Sequence, residues 1–366
     1  MAKKDQLFLY SSEKIGKAIL LLAIPSVLSS LISLIYNLIN SIYVGMLHNT
    51  AMIAAITVSL PMITLIPAFG SALGVGASSY LSRQLGAHEL ESSKETVKTA
   101  ITSGAVVSIL IILFSFVGLK PVLGLLTTDP EVLSYTYTYV SIIYYSSIAI
   151  NLKIIIINLL KTEADILYPM YVQLVSVVVN IVVAPFLMFD WGLNLGIVGA
   201  ALSTVLADTV SLVALLYRLC YKAKYVRWRF GNFGFNKDAF KEIINVGSAV
   251  FVRNSLPSLS TAIFARSAGL FGTAFVAGVG IGKKSSTFAL FAVQGVANGF
   301  LPFAAYNFGA QNKERLRSSI LMLISSMTIY MMIMSVVFFF FAPEICSMYS
   351  SDPTVIAYGS QMLRFY

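Results

Sequence analysis

Charge is scarce in this chain of 366 residues. Only 11% of the residues are Asp, Glu, Lys or Arg, whereas soluble domains carry about 25%. So few charged groups cannot cover a water-facing surface, and 57% of the residues are hydrophobic. Most of the surface must therefore face lipid, and an ordinary soluble domain is excluded.

Cysteine and histidine are also rare, with two of each. Cys220 and Cys346 are predicted on opposite sides of the membrane, so no disulfide is expected. These few scattered side chains offer no cluster of metal ligands. The N-terminus lacks the small-residue cleavage site of a secretory signal and is interpreted as a short cytoplasmic arm. We expect neither a metal nor a cofactor.

Long apolar runs dominate the rest of the chain. A membrane-spanning helix needs about 20 apolar residues. Candidate helices are 17–45, 51–80, 96–119, 132–160, 166–189, 196–217, 243–265, 274–304, 318–342 and 354–366. The last segment is too short to span. The sequence therefore predicts an all-α membrane protein of about ten helices.

The distribution of Lys and Arg predicts the orientation. With a cytoplasmic N-terminus, the cytoplasmic segments hold 18 basic residues and the external loops hold two, Lys120 and Arg266. This bias predicts a multi-pass inner-membrane protein with its N-terminus inside. The most basic loop, 218–242, is either a solvated loop or a binding site for anionic lipid. Because the basic residues lie between apolar runs, the net charge of +9 does not indicate nucleic-acid binding.

An internal repeat recurs at a constant offset of 223 residues. The matching pairs are Thr50-Ala51 with Thr273-Ala274, Ala54 with Ala277, Gly76 with Gly299, Gly86-Ala87 with Gly309-Ala310, and Asp129-Pro130 with Asp352-Pro353. Six predicted helices separate equivalent positions, so both copies should have the same orientation in the membrane. Parallel repeats of this kind occur in secondary transporters, with the substrate site near mid-membrane between the repeats.

The repeat divides the chain into an N-lobe (1–217, helices 1–6), a basic cytoplasmic linker (218–242) and a C-lobe (243–366, helices 7–10). The second copy reaches only Tyr366, which is equivalent to Ile143. We therefore expect a design of two parallel six-helix lobes in which the second lobe is incomplete because the chain is truncated at its C-terminus.

Four segments resemble the multidrug and toxic compound extrusion (MATE) transporters. They are NLINSIYVG (37–45), NIVVAP (180–185), GIVGAALST (196–204) and GVANGFLPFAAYNFGA (295–310). The last segment is most similar to the bacterial branch that contains the DNA-damage-inducible-type members. The resemblance implies two six-helix lobes around a central cleft and export of organic cations in exchange for Na⁺ or H⁺.

Some residues depart from the family pattern. Asn40 and Ala184 stand where the family often has aspartates that are linked to cation coupling, and Asn298 replaces a glutamine. Asn180 matches the family's polar cluster directly.

Asp208 is the only acidic residue well inside a predicted span. A carboxylate in a low-dielectric site can alternate between charged and neutral forms, so Asp208 is the first candidate for cation coupling, followed by Asn180, Asn40 and Asn37. The alternative is structural: Asp208 pairs with a nearby lysine or amide, and the asparagines form interhelical hydrogen bonds.

Basic residues at membrane depth are candidates for the substrate cleft. The cleft candidates are Arg253, Asn254, Lys283, Lys284, Asn298 and Tyr36. Lys153 is expected to extend to the headgroups, and internal ion pairs are the alternative for Arg253 and Lys284. A cleft lined by cations suits anionic or zwitterionic substrates unless a carboxylate balances them.

The function predicted from these features is cation-coupled efflux of small molecules, organic cations or amphiphiles, by a monomer that alternates access between its lobes. A lipid-linked substrate flippase of the same superfamily and a non-transporting truncated remnant are the alternatives. No catalytic constellation lies at membrane depth, so an enzyme is not predicted.

Overall fold

The computed structural model describes residues 7–47, 49–268, 273–350 and 352–365, and it describes side-chain surroundings for these residues except 257–268, 273, 274, 276 and 277. This part of the chain is helical throughout, without strands. The helices are α1 (Phe8–Ser11), α2 (Ile15–Gly45), α3 (Thr50–Gly86), α4 (Leu90–Val117), α5 (Leu119–Leu126), α6 (Pro130–Tyr145), α7 (Ser147–Lys161), α8 (Leu167–Met188), α9 (Gly196–Tyr217), α10 (Lys237–Ala268), α11 (Thr273–Gly309), α12 (Lys313–Ser347) and α13 (Pro353–Phe365). A π-helical turn, Arg218–Lys222, extends α9.

Seven of the described helices are long and apolar enough to cross a membrane. They are α2, α3, α4, α8, α9 with its π-helical turn, α11 and α12. The pair α6 and α7 forms an eighth candidate, bent by 50°. Each of the ten predicted segments coincides with a helix or with this pair, but α10 is not among the candidates, and α13 has only 13 residues.

The bend between α6 and α7 departs from the single helix predicted over 132–160. Ser146 lies at the break, and its hydroxyl donates to the carbonyl of Ile143 at 2.8 Å. Serine hydroxyls compete in this way with the helical backbone ladder. The apolar composition of the segment predicted a helix but not this break.

The two copies of the Asp-Pro motif begin helices in the same way. The Asp129 carboxylate accepts from the backbone N–H of Glu131 at 2.9 Å, and the Asp352 carboxylate accepts from Thr354 at 2.8 Å. In both copies proline follows the aspartate at the first helical position, where its missing N–H has no helical partner to lose. The offset of 223 residues thus relates local structures as well as residue identities.

The helices that precede the linker pack against those that follow it through close backbone approaches. α3 packs against α10, and α2 packs against α11. A Cβ atom at Gly86 would overlap the carbonyl oxygen of Tyr306, and one at Gly309 would overlap that of Arg83. At the offset of the repeat, Gly309 corresponds to Gly86 and Tyr306 to Arg83, so the contact is reciprocal.

Polar contacts stabilise the same end of the molecule, where Gly86 meets Tyr306 and Gly309 meets Arg83. Arg83 pairs with Glu242 at 2.8 Å, which ties α3 to α10. The buried Tyr10 donates from its hydroxyl to the carbonyl of Lys161, while its own carbonyl accepts from Asn307 at 3.2 Å and Arg315 at 3.0 Å. The arm around α1 therefore joins α7 to α11 and α12.

The basic linker after α9 is folded rather than loosely solvated. The Glu163 carboxylate accepts from the backbone N–H groups of Lys224, Tyr225 and Val226. Val226 and Trp228 are 0% and 4% exposed, respectively. The basic side chains of this stretch are exposed, as expected for a solvated loop, but its backbone is held in place by a buried carboxylate and a buried aromatic side chain.

Burial raises the pKa of the Glu163 carboxyl above its ordinary value of 4.5, and the nearby Asp165 contributes to the increase. Because the pKa is higher in the folded chain than in the unfolded chain, the contribution of Glu163 to stability is full below pH ~4.5 and is lost as the pH rises through the raised pKa. We expect the free energy of unfolding of the native chain to fall over that window.

Glu163→Gln removes the titrating group, so this pH dependence should disappear in that variant. Glu163→Ala also removes the acceptor of three backbone N–H groups. In this variant the opening free energy measured by hydrogen exchange at Lys224, Tyr225 and Val226 should fall by about 2 kcal/mol, which is within the range for buried donors left unsatisfied. Glu314→Ala is the control, because Glu314 is exposed at the start of α12. Equal pH dependence in the native and Glu163→Gln chains would contradict this account.

Candidate substrate and ion site

A cavity of about 480 Å³ lies among α2, α3, α6, α7, α8 and α9. Its polar lining consists of Tyr36, Asn37, Asn40, Ser41, Thr64, Tyr139, Lys153, Thr204 and Asp208. Apolar side chains, including Leu60, Ile63 and Met188, form the rest of its wall. We refer to it as the N-terminal cavity.

Helical spacing accounts for the polar lining. Tyr36, Asn37 and Asn40 occupy positions i, i+1 and i+4 of α2, and Thr204 and Asp208 are four residues apart on α9. Residues four apart lie on one helix face. Tyr36 links the two helices, because its hydroxyl donates to the Thr204 hydroxyl at 3.1 Å.

Lys153 and Asp208 form an ion pair in the wall of this cavity, with Nζ of Lys153 donating to Oδ1 of Asp208. Their side chains are only 21% and 12% exposed, respectively. Lys153 therefore crosses from α7 to α9. The expectation from its sequence position, that it extends to the headgroups, was wrong. The pairing of Asp208 with a lysine, which the sequence analysis left open, is present.

Lys153 also lines a second cavity of about 310 Å³, with Pro67 and Ile150 shared between the two. This second cavity presents Gln173 and Ser176 of α8 and Ser33 of α2. The Gln173 amide donates to the Ser33 hydroxyl. The lysine thus lies between an acidic partner on one side and a neutral polar pocket on the other.

Asn180 is placed outside the N-terminal cavity. It is fully buried between α8 and α9, where its amide donates to the Ser203 hydroxyl at 3.2 Å. Its Oδ1 atom has no hydrogen-bond partner among the described residues. Ala184 packs in an apolar cluster with Val44 and Met188, both of which line the cavity. The wall is therefore apolar where the family resemblance suggested an acid.

The C-terminal candidates do not join the N-terminal cavity. Arg253 and Asn298 line a separate cavity of about 280 Å³ with Val75, where α3, α10 and α11 meet. Asn254 is half-buried on α10, and on α11 Lys283 is half-buried while Lys284 is exposed. None of these three lines that cavity. The structure therefore divides the predicted site residues between two regions.

Five polar residues of the N-terminal cavity were not proposed as site residues from the sequence: Ser41, Thr64, Tyr139, Lys153 and Thr204. A usable signal existed for Lys153. One base in α7 and one acid in α9 each stand alone in apolar surroundings, and opposite charges at membrane depth are expected to pair. The other four residues carried no such signal, because hydroxyl groups are common in packed helices.

Similarity to known proteins identifies the family. The MatE family model matches residues 25–186 and 249–366, and these segments include the helices of the N-terminal cavity up to α8. The chain belongs to the MatE family. This membership, with seven or eight apolar helices in the described residues, makes it a multi-pass membrane transporter and not an enzyme.

Two curated relatives of the MatE chain are multidrug export proteins named MepA. The protein from Staphylococcus haemolyticus (strain JCSC1435) is 27% identical over 362 residues, which cover 99% of this chain and 79% of the relative. The protein from Staphylococcus aureus (strain N315) is 25% identical and covers 99% of this chain and 80% of the relative.

Solved MatE-like structures share the fold. One is described as the outward-facing conformation of a multidrug resistance MATE family transporter of the MOP superfamily, with a TM-score of 0.88, 23% identity, and coverage of 100% of this chain and 80% of that one. A MOP superfamily transporter from Pyrococcus furiosus, described as having a binding pocket of reversed polarity, has a TM-score of 0.86, 22% identity, and coverage of 99% and 80%.

Proposed function

We propose that this chain is a cation-coupled antiporter that exports small organic compounds by alternating access, with the Lys153–Asp208 pair as its coupling group. The observation that carries the proposal is this ion pair in the wall of the N-terminal cavity. The export activity named for the MepA relatives supports the direction of transport and the small-molecule substrate.

The coupling step follows from the position of Lys153 between two cavities. While Asp208 is ionised, it holds the Lys153 ammonium. A proton or Na⁺ bound at Asp208 replaces that ammonium, and the lysine side chain then turns towards Ser33, Gln173 and Ser176 of the second cavity. The pair thus has two arrangements, and an ion that binds one of them more tightly shifts the population.

The lining of the N-terminal cavity suits an organic cation or amphiphile. Its apolar wall accepts a hydrophobic body, while Asp208 and the hydroxyl and amide groups of Tyr36, Asn37 and Asn40 accept a polar or cationic end. Substrate and coupling ion then compete for Asp208. Such competition is what an antiporter requires, because the two ligands must favour different states.

Alternating access is supported by the reciprocal contacts between the two repeat copies. The Gly86–Tyr306 and Gly309–Arg83 approaches and the Arg83–Glu242 pair close one end of the molecule. We assign this closed end to the cytoplasmic side, where the linker and the N-terminal arm also lie. The conformation described here is then an outward-open one. Two parallel lobes, 1–217 and 243–366, would open this end by rocking apart.

The assignment to the DNA-damage-inducible-type branch stays a prediction.

Transport in proteoliposomes tests the proposal. We expect an imposed Na⁺ or H⁺ gradient to drive accumulation of a fluorescent organic cation at least tenfold above protein-free liposomes. Failure of both gradients in reconstituted, folded protein would contradict coupled antiport and favour the non-transporting alternative. A fluorescent lipid-linked substrate in the same vesicles tests the flippase alternative, which requires its transfer between leaflets.

A further inference from the structure

A basic groove lies between the start of α4 and the linker that follows α9. It encloses about 360 Å³. Five cationic side chains line it together with Trp228: Lys94, Lys98, Lys224, Arg227 and Arg229. None of its described lining residues is acidic. The groove is therefore a concave surface of one sign of charge, which attracts anions.

Part of this charge is already balanced. Lys94 pairs with Glu91 and Lys98 with Glu95, both at 2.7 Å and both within α4. The Lys94–Glu91 pair is exposed and the Lys98–Glu95 pair is half-buried. Ion pairs accessible to solvent bring little stabilisation, so Lys94 in particular can turn to a stronger anion at small cost. The linker arginines, Arg227 and Arg229, supply additional positive charge.

The groove is preformed, because the linker has a fixed shape. The Trp228 indole N–H donates to the Asn232 carbonyl at 2.9 Å, and Nε of Arg227 donates to the Cys220 carbonyl at 2.9 Å. Further along, the backbone N–H of Gly234 donates to Thr102 of α4 at 3.2 Å. Together with the Glu163 contacts, these bonds hold the groove open before any ligand arrives, which lowers the entropy cost of binding.

Exposed aromatic side chains flank the groove. Phe230 is 82% exposed and Phe233 is also exposed, and both rings pack edge-on against Trp228. Exposed aromatic residues next to basic residues are typical of the headgroup region of a membrane. This composition favours a position of the groove at the depth of the lipid phosphates.

We propose that the groove binds the phosphate group of an anionic phospholipid, with Arg229 and Lys94 on opposite sides of the phosphate. Guanidinium and ammonium groups are the usual protein partners of phosphate, and basic residues beside a spanning helix attract anionic lipids. The bound lipid would fasten the linker to α4. This site is distinct from the N-terminal cavity and does not depend on the proposed transport function.

Lipid retention by the full chain provides the test. The purified protein is delipidated, mixed with phosphatidylglycerol or phosphatidylcholine in detergent, and examined by native mass spectrometry. We expect one phosphatidylglycerol to be retained in preference to phosphatidylcholine. Trp228 supplies a local signal: in a Trp191→Phe background it is the only tryptophan, and its emission should change saturably with phosphatidylglycerol.

The groove variant is Lys94→Gln with Arg229→Gln, and the matched control is Lys313→Gln with Arg317→Gln. The control removes one exposed lysine and one exposed arginine from the start of α12. We expect roughly tenfold weaker phosphatidylglycerol binding in the groove variant, given the attraction of each basic residue to anionic lipid, and unchanged binding in the control.

Three results would overturn the proposal. One is retention of phosphatidylglycerol no stronger than that of phosphatidylcholine. Another is an equal loss of binding in the groove variant and the control, which would indicate diffuse surface charge. The third is saturation of the Trp228 signal by soluble glycerol phosphate but not by phosphatidylglycerol, because the ligand would then be a soluble phosphate ester.

Discussion

Replacing Asp208 with asparagine is expected to abolish gradient-driven accumulation of substrate while leaving downhill exchange measurable. The substitution removes the carboxylate for which ion and substrate compete, so an ion gradient no longer acts on the substrate. It also leaves the Lys153 ammonium without its partner. Transport with and without an imposed gradient, in the same proteoliposomes, separates the two effects.

Stability measurements distinguish a coupling role for this pair from a packing role. Asp208→Asn and Lys153→Met should each destabilise the chain by about 2 kcal/mol, below the ~3–5 kcal/mol of a fully buried pair because cavity water reaches both side chains. The double variant leaves no unpaired charge and should recover most of the stability. If the pair only fixes packing, the double variant should also recover gradient-driven accumulation.

Glu131→Gln and Lys120→Met are the controls for these variants, because both residues are exposed on neighbouring helices. They change charge by the same amount without touching the cavity. Recovery of uphill transport in the double variant would contradict the assignment of Asp208 as the coupling group.

Alanine at Gly86 or Gly309 is expected to shift the chain away from the state described here. At each position a Cβ atom would overlap a backbone carbonyl oxygen of the other repeat copy, and backbone cannot rotate aside as a flexible side chain can. Overpacking of this kind costs about 2 kcal/mol. That cost corresponds to a roughly 30-fold change in the ratio of two states.

The accessibility of an engineered cysteine at the closed end gives the measurement. In Gly86→Ala and Gly309→Ala, a cysteine at Ser82, which is fully buried on α3 one turn before Gly86, should react with a water-soluble maleimide much faster than in the parent. Gly45→Ala is the matched control, since a Cβ at Gly45 meets nothing within 4 Å. Unchanged labelling in both glycine variants would show that this contact does not hold the end closed.

The sequence predicted the helical architecture well, because apolar runs of spanning length have few alternatives in a bilayer. The breaks were harder to predict. A break at Ser146 divides one apolar segment into α6 and α7, and neither hydropathy nor length registers such a break. The order of the linker backbone was missed for a related reason. The basic composition predicted the exposure of its charged side chains but not the contacts of its backbone with Glu163, an acid from a different loop.

The candidate site was predictable in part. Asp208, Tyr36, Asn37 and Asn40 were chosen from the sequence and lie around one cavity, because helical spacing places them on facing surfaces. Lys153 was set aside because its distance from the helix end suggested contact with headgroups. The approach of α7 to α9 makes it the partner of Asp208, and tertiary contacts of this kind are not encoded in the spacing of either helix.

Competition between coupling ion and substrate at Asp208 is the central claim, and binding affinity tests it most directly. The dissociation constant of an organic cation is measured in the purified chain over a series of pH values and Na⁺ concentrations. We expect the coupling ion to weaken substrate binding in the native chain, and we expect this dependence to disappear in Asp208→Asn. The same dependence in both proteins would contradict this claim.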